Sequence, residues 1–170
     1  MTKPNPANPT LSISRPDLAS ALEQIGAEIE HQPLRSSALA RIMRETFHGS
    51  DAGGTWDWRM AYDLMQATAV QALLRGDNSE DDYYAAKLLA SRLLTETRRS
   101  EQQIRLQQFS TPLPFAALTV RAAAIRKGET VLEPSAGTGA PAAFAARAGA
   151  TLLLNEIDPF RQRLLRAVFG

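Results

Sequence analysis

The sequence predicts a chain of two parts, an all-α N-terminal region and an α/β C-terminal half built on about two parallel strands. Three observations carry that expectation. Apolar residues over the first hundred positions recur at helical spacing, with no alternating run that would read as a strand. Beyond Pro112 and Pro114 the pattern changes to short apolar runs, Val131-Leu132 and Leu152-Leu153-Leu154, each followed by a helical stretch; this is the order of a parallel sheet with crossover helices. Between the first run and its helix stand Gly137 and Gly139, which permit tight or left-handed backbone and leave room for a ligand against the main chain. The boundaries follow: a leader at 1–13, a helical region at 14–107 and the α/β part at 108–170.

Element by element, the leader carries prolines at 4, 6 and 9 among Asn, Ala and Thr, a composition that favours no packed element. Ser14 and Asp17 bracket Arg15-Pro16 as a helix start, and Leu18, Leu22, Ile25 and Ile29 carry that helix to about His31. A second helix is expected over roughly 36–47 through Leu39, Ile42, Met43 and Phe47, and a third over about 57–75, stopping near Gly76. Asn78 or Ser79 is expected to cap a fourth, with Tyr84, Leu88, Leu89 and Leu93 on its apolar side and a broken continuation to Gln107. Trp56 and Trp58 read as packing residues, and Glu80-Asp81-Asp82 as first-turn acids facing the helix dipole. Pro112 and Pro114 keep the segment before them out of helix. A helix follows at about 114–126, then a strand at 130–133, a helix at about 139–148, a strand at 151–155 and a helix at about 159–168.

Composition narrows the function classes. The 170 residues are 44% hydrophobic, enough for a real core, and contain no cysteine, which excludes a disulfide scaffold or a thiolate metal site. His31 and His48 have no acidic cluster at ligand spacing, so no metal site is expected. No run reaches the ~20 apolar residues of a membrane span, and the N-terminus lacks a signal-peptide core; a soluble, cytoplasmic protein is the expectation. The net charge of +1 hides an asymmetry: residues 1–97 carry 9 Lys+Arg against 13 Asp+Glu, residues 98–170 carry 10 against 5. The basic excess on the α/β side suits a polyanion, though an ordinary solvated surface explains it equally.

The glycine turn admits three readings. A phosphate-binding P-loop requires Gly-Lys-Ser/Thr, and here Ala140-Pro141 follows the second glycine. A dinucleotide fingerprint requires Gly-x-Gly-x-x-Gly, and Ala142 holds the third place. Neither asks for Glu133-Pro134 before the turn. S-adenosyl-L-methionine carries a cationic ammonium, which an acidic strand end suits better than it suits a pyrophosphate. A second carboxylate nineteen residues past Gly137, Glu156, could accept bonds from both ribose hydroxyls.

Glu133-Pro134-Ser135-Ala136-Gly137-Thr138-Gly139 resembles the cofactor loop of N6-adenine DNA methyltransferases. Asn155-Glu156-Ile157-Asp158-Pro159 resembles their ribose and adenine contact, and Gln108-Phe109-Ser110-Thr111-Pro112 their Phe/Tyr-x-Thr-Pro segment over the methionine moiety. More narrowly, residues 96–170 resemble the methylase part of strawberry-notch-type methylase–helicase proteins. The resemblance implies a partial Rossmann-like methyltransferase sheet with S-adenosyl-L-methionine as cofactor and DNA as the family's partner. It implies methionine contacts from Phe109, Thr111 and Pro112, a loop of Glu133, Ser135, Ala136, Gly137 and Gly139 beneath the cofactor, a ribose contact from Glu156 and adenine packing by Ile157. Without a ligand, Glu156 would be an ordinary exposed acid, and Phe109 and Ile157 core residues.

The family's (Asp/Asn)-Pro-Pro-(Phe/Tyr) segment, which holds the flipped adenine, does not occur in these 170 residues. The expectation is therefore the cofactor-binding part of a DNA adenine methyltransferase, not catalytic alone. The alternative is a stand-alone, truncated methylase-like protein of a mobile element that inhibits a host defence complex, in the manner of an anti-restriction or anti-CRISPR protein. Two parallel strands also leave an open edge and face, to be covered by the helical region or by a protein partner.

Overall fold

A computed structural model describes residues 13–76, 81–97 and 109–170. The leader up to residue 12, the expected caps Asn78 and Ser79, and the expected continuation over 98–107 lie outside the described residues. Among the described residues seven helices and two strands follow in the order α1 (Arg15–His31), α2 (Ser36–Thr46), α3 (Trp58–Arg75), α4 (Asp82–Ala90), α5 (Leu113–Ala122), β1 (Thr130–Glu133), α6 (Ala140–Arg147), β2 (Thr151–Leu154) and α7 (Pro159–Phe169). The mixed α and α/β organisation is as the periodicity implied. No helix among the described residues is long and apolar enough to cross a membrane.

Local chemistry accounts for most boundaries. The Ser14 hydroxyl accepts the Asp17 N–H at 3.2 Å and opens α1. Asp57 accepts from Met60 N–H at 2.7 Å and opens α3. Helix α4 departs from expectation: Asp81, one of the supposed first-turn acids, is itself the cap, accepting from Tyr83 N–H at 2.8 Å. An aspartate directly before the apolar face outcompetes any cap further upstream, because its carboxylate satisfies an orphan N–H of the first turn. Trp56 is buried and donates to the Gly49 carbonyl at 3.1 Å, and Trp58 donates to Asp51 at 3.2 Å, so both serve packing and loop closure.

Helix α3 is apolar or small around nearly its whole circumference and is buried accordingly. It belongs to both hydrophobic clusters. One joins Met60, Leu64 and Met65 of α3 to Ile25 and Ile29 of α1, Leu39 and Met43 of α2, and Phe160 and Leu164 of α7. The other joins Val70 and Leu73 of α3 to Ala86 of α4, Leu113 and Ala116 of α5, and Phe144 of α6. Arg147, at the end of α6, fastens the same junction: it donates to the Leu73 carbonyl at 2.7 Å and pairs with Asp82 at 2.7 Å. The helical region thus packs on the outer side of α6 and α7.

Strands β1 and β2 pair in parallel, Thr130 opposite Thr151 and Glu133 opposite Leu154. Helix α6 contacts both strands and covers one face. On the other face Leu132 and Leu153, neighbours in the register, remain 65% and 54% exposed. The helical region therefore leaves the open face uncovered among the described residues.

Candidate functional site

The two strand ends deliver their loops side by side. Gly137 and Gly139 both take left-handed backbone, φ +58° and +93°, so β1 reverses into α6 within a few residues. The second loop is laced onto this turn. Ala136 N–H donates to the Asn155 carbonyl at 2.8 Å, and the Asn155 amide donates to the Pro134 carbonyl at 2.9 Å. One oxygen of Glu156 accepts the Gly137 N–H at 2.7 Å and the other accepts the Asp158 N–H at 2.8 Å. Glu156 and the glycine turn are therefore in direct contact, across the nineteen residues that separate them in sequence.

Glu156 is 8% exposed, not the surface acid expected in the absence of a ligand, because two backbone N–H groups compensate its burial. Glu133 is different. It sits half-buried at the end of β1, no side-chain hydrogen bond to it occurs among the described residues, and burial pushes its carboxyl above the ordinary glutamate value. Ala136 is buried within the turn and Ser135 is exposed. Ile157 is 76% exposed and Phe109 54%, so neither is a core residue. Thr111 and Pro112 are exposed at the start of α5, which packs on α6, the helix that the glycine turn opens.

The two glycines do different work. A Cβ on Gly139 would lie 2.6 Å from Cε2 of Phe169 and 3.1 Å from Cδ2 of Leu165, so the close approach at this position belongs to α7. A Cβ on Gly137 would find only Nη1 of Arg161, at 3.8 Å, leaving this turn position open.

Behind the turn lies a charge cluster that sequence reasoning missed. Arg161 of α7 donates to one Asp63 oxygen through Nε at 3.0 Å and Nη2 at 2.7 Å. Arg59 pairs with Asp158, and its Nε lies 3.7 Å from the other Asp63 oxygen without a hydrogen bond. All four side chains are buried. Burial pushes the Asp63 carboxyl up to about 6, against the opposing pull of Arg161 and Arg59. Asp158 is held below its ordinary value: burial opposes this, but the Arg161 N–H and the Arg59 guanidinium prevail. Asp158 also caps α7 through the Phe160 and Arg161 N–H groups. The available signal was the i,i+4 pair Arg59 and Asp63 on a helix whose other residues are largely apolar or small.

A cavity of about 710 Å³ runs along the free edge of β2, between Leu152, Leu154, Asn155 and Glu156 on one side and Gln162 and Leu165 of α7 on the other. Glu156 reaches its wall; Glu133 and Thr111 do not line it. Comparison of the chain with protein-family models, with curated proteins and with solved structures returned no match.

Proposed function

We propose that this chain is the cofactor-binding part of a DNA adenine methyltransferase and that its glycine turn takes S-adenosyl-L-methionine. The observation that carries this reading is Glu133, a half-buried carboxylate without a hydrogen-bond partner among the described residues, beside an open glycine turn. Such a group favours a cationic ligand, and the methionine ammonium supplies one. The turn offers backbone rather than side chains at Gly137, Ser135 lies exposed on it, and Gly139 fixes its exit into α6. Glu156, already anchored by two N–H groups, retains lone pairs for a ribose hydroxyl. The exposed Ile157 and Phe109 supply apolar surface for the adenine and methionine ends, with Thr111 and Pro112 on the methionine side. No residue of these 170 is assigned the methyl transfer itself, because they contain no (Asp/Asn)-Pro-Pro-(Phe/Tyr) segment for the target base. DNA is the substrate of the complete enzyme in this reading.

Calorimetric titration with S-adenosyl-L-methionine tests it. Micromolar binding that Glu133→Gln weakens by about tenfold, the value of one lost charge-assisted contact, is the expected result. No heat at millimolar ligand overturns the assignment.

A further inference from the structure

We propose that Arg59, Asp63 and Arg161 are positioning residues that hold the Glu156 carboxylate for both ribose hydroxyls of the nucleoside, so that helix α3 sets the selectivity of the site for ribose over deoxyribose. The inference rests on the cofactor reading and gives the helical region a part in it. Each oxygen of Glu156 already accepts one N–H, from Gly137 at 2.7 Å and from Asp158 at 2.8 Å. Lone-pair capacity remains on each oxygen, and two vicinal hydroxyls need both oxygens of a carboxylate that does not rotate. The orientation of Glu156 is therefore set by whatever fixes its two donors.

Both donors lead back to α3. Asp158 carries the first: its carboxylate pairs with Arg59 and accepts from the Phe160 and Arg161 N–H groups at 2.9 and 3.1 Å. Arg161 backs the second. Its Nη1 lies 3.8 Å from where a Cβ on Gly137 would stand, while one Asp63 oxygen holds its Nε at 3.0 Å and its Nη2 at 2.7 Å. The charge of Glu156 also acts on the Arg161 guanidinium. Arg59 and Asp63 stand one turn apart, so a single helix buttresses the loop after β2 and the turn after β1 together. Stability alone does not call for this arrangement. Four buried charges are costly, and an apolar cluster of equal volume is commonly as stable or more so. Arg59 Nε and Asp63 Oδ2 even go without a hydrogen bond among the described residues, which leaves the network incompletely satisfied. What a guanidinium held at two nitrogens supplies, and an apolar side chain does not, is a fixed direction.

The test is calorimetric titration of the full chain with S-adenosyl-L-methionine and, separately, with its 2′,3′-dideoxyribose analogue. The parent is expected to bind the ribose ligand at least about tenfold more tightly, the value of hydroxyl bonds to a carboxylate. Arg161→Lys keeps the charge and loses the fork; it is expected to weaken the ribose ligand at least about fivefold and to leave the dideoxy ligand within about twofold. Asp63→Asn leaves Arg161 in place without its charged anchor and carries the same expectation, should the lysine variant not fold. Hydrogen exchange gives a readout without ligand: in either variant the Gly137 amide is expected to exchange at least about tenfold faster relative to the core amide of Ile25. Equal weakening of both ligands marks a merely structural role and overturns the inference. So does a variant that keeps the parent's ribose preference or its Gly137 exchange, or a parent that binds both ligands alike; in each of these cases the parent binds the cofactor and that reading stands. A parent that binds neither ligand overturns the cofactor reading, and the ribose selectivity falls with it.

Discussion

Asp63→Asn separates two forces that act on the buried charge cluster. Asp63 is 2% exposed, and burial raises its carboxyl from 3.8 to about 6 even though Arg161 donates to it twice. A carboxyl whose value is raised on folding binds its proton more tightly in the folded state. Its stabilising contribution is therefore fully present below pH 3.8 and is lost as pH rises through about 6. The gap corresponds to about 3 kcal/mol. Urea unfolding of the parent and of Asp63→Asn, followed by fluorescence of the buried Trp56 from about pH 4 to about pH 7, measures it. Asp158 titrates in both proteins and largely cancels in the difference. The stability of the parent minus that of the variant is expected to fall with rising pH by a large part of the 3 kcal/mol, superimposed on a constant loss from the disturbed arginines. A difference that stays flat, or that grows with pH, would refute the reasoning. It would mean that Arg161 and Arg59 outweigh burial and hold Asp63 ionised.

The remaining predictions concern the turns and the proposed cofactor contact. Gly139→Ala combines positive φ with a Cβ 2.6 Å from the Phe169 ring, and should cost about 2–4 kcal/mol in thermal or urea unfolding, partly recovered by Phe169→Leu. Gly137→Ala faces strain without a clash, since its nearest neighbour would be 3.8 Å away, and should cost only about 1–2 kcal/mol. Ala124 holds φ +50° after α5, so Ala124→Gly should raise stability by about 0.5 kcal/mol, the relieved strain exceeding the added chain entropy. Because Glu133 must be ionised to meet an ammonium and its carboxyl is raised by burial, S-adenosyl-L-methionine binding should weaken as pH falls, starting above the ordinary glutamate range. In Glu133→Gln that dependence should vanish; calorimetry across pH that finds parent and variant alike rules out the contact.

Much of the fold was legible because its signals are local. Leu18, Leu22, Ile25 and Ile29 mark α1 by spacing alone, and Ser14 and Asp57 announce helix starts through hydrogen bonds that span three residues. Val131-Leu132 and Leu152-Leu153-Leu154 read as strands for the same reason, between turn residues at fixed offsets. The α4 cap was misplaced because several capping residues stand in a row from Asn78 to Asp82, and only backbone geometry selects among them. At the site, the sequence indicated that Glu133, Gly137, Gly139 and Glu156 belong together, and Glu156 does accept from Gly137. It could not indicate that Phe169 fills the space above Gly139, since glycine marks a close approach without naming what approaches.

The amino-acid order by itself determined which segments are helix and strand, that the chain can turn left-handed at Gly137 and Gly139, and which carboxylates end or follow the strands. Those properties arise from interactions within a few residues. Only the tertiary structure decided that Arg59, Asp63, Asp158 and Arg161 are buried together, that α3 serves both hydrophobic clusters, and that the helical region leaves the Leu132 and Leu153 face of the sheet uncovered among the described residues. Each of these depends on which helix faces are already occupied when distant segments meet. A charge such as Asp63 becomes a buried group only through neighbours such as Arg161, which lies 98 residues away in the chain.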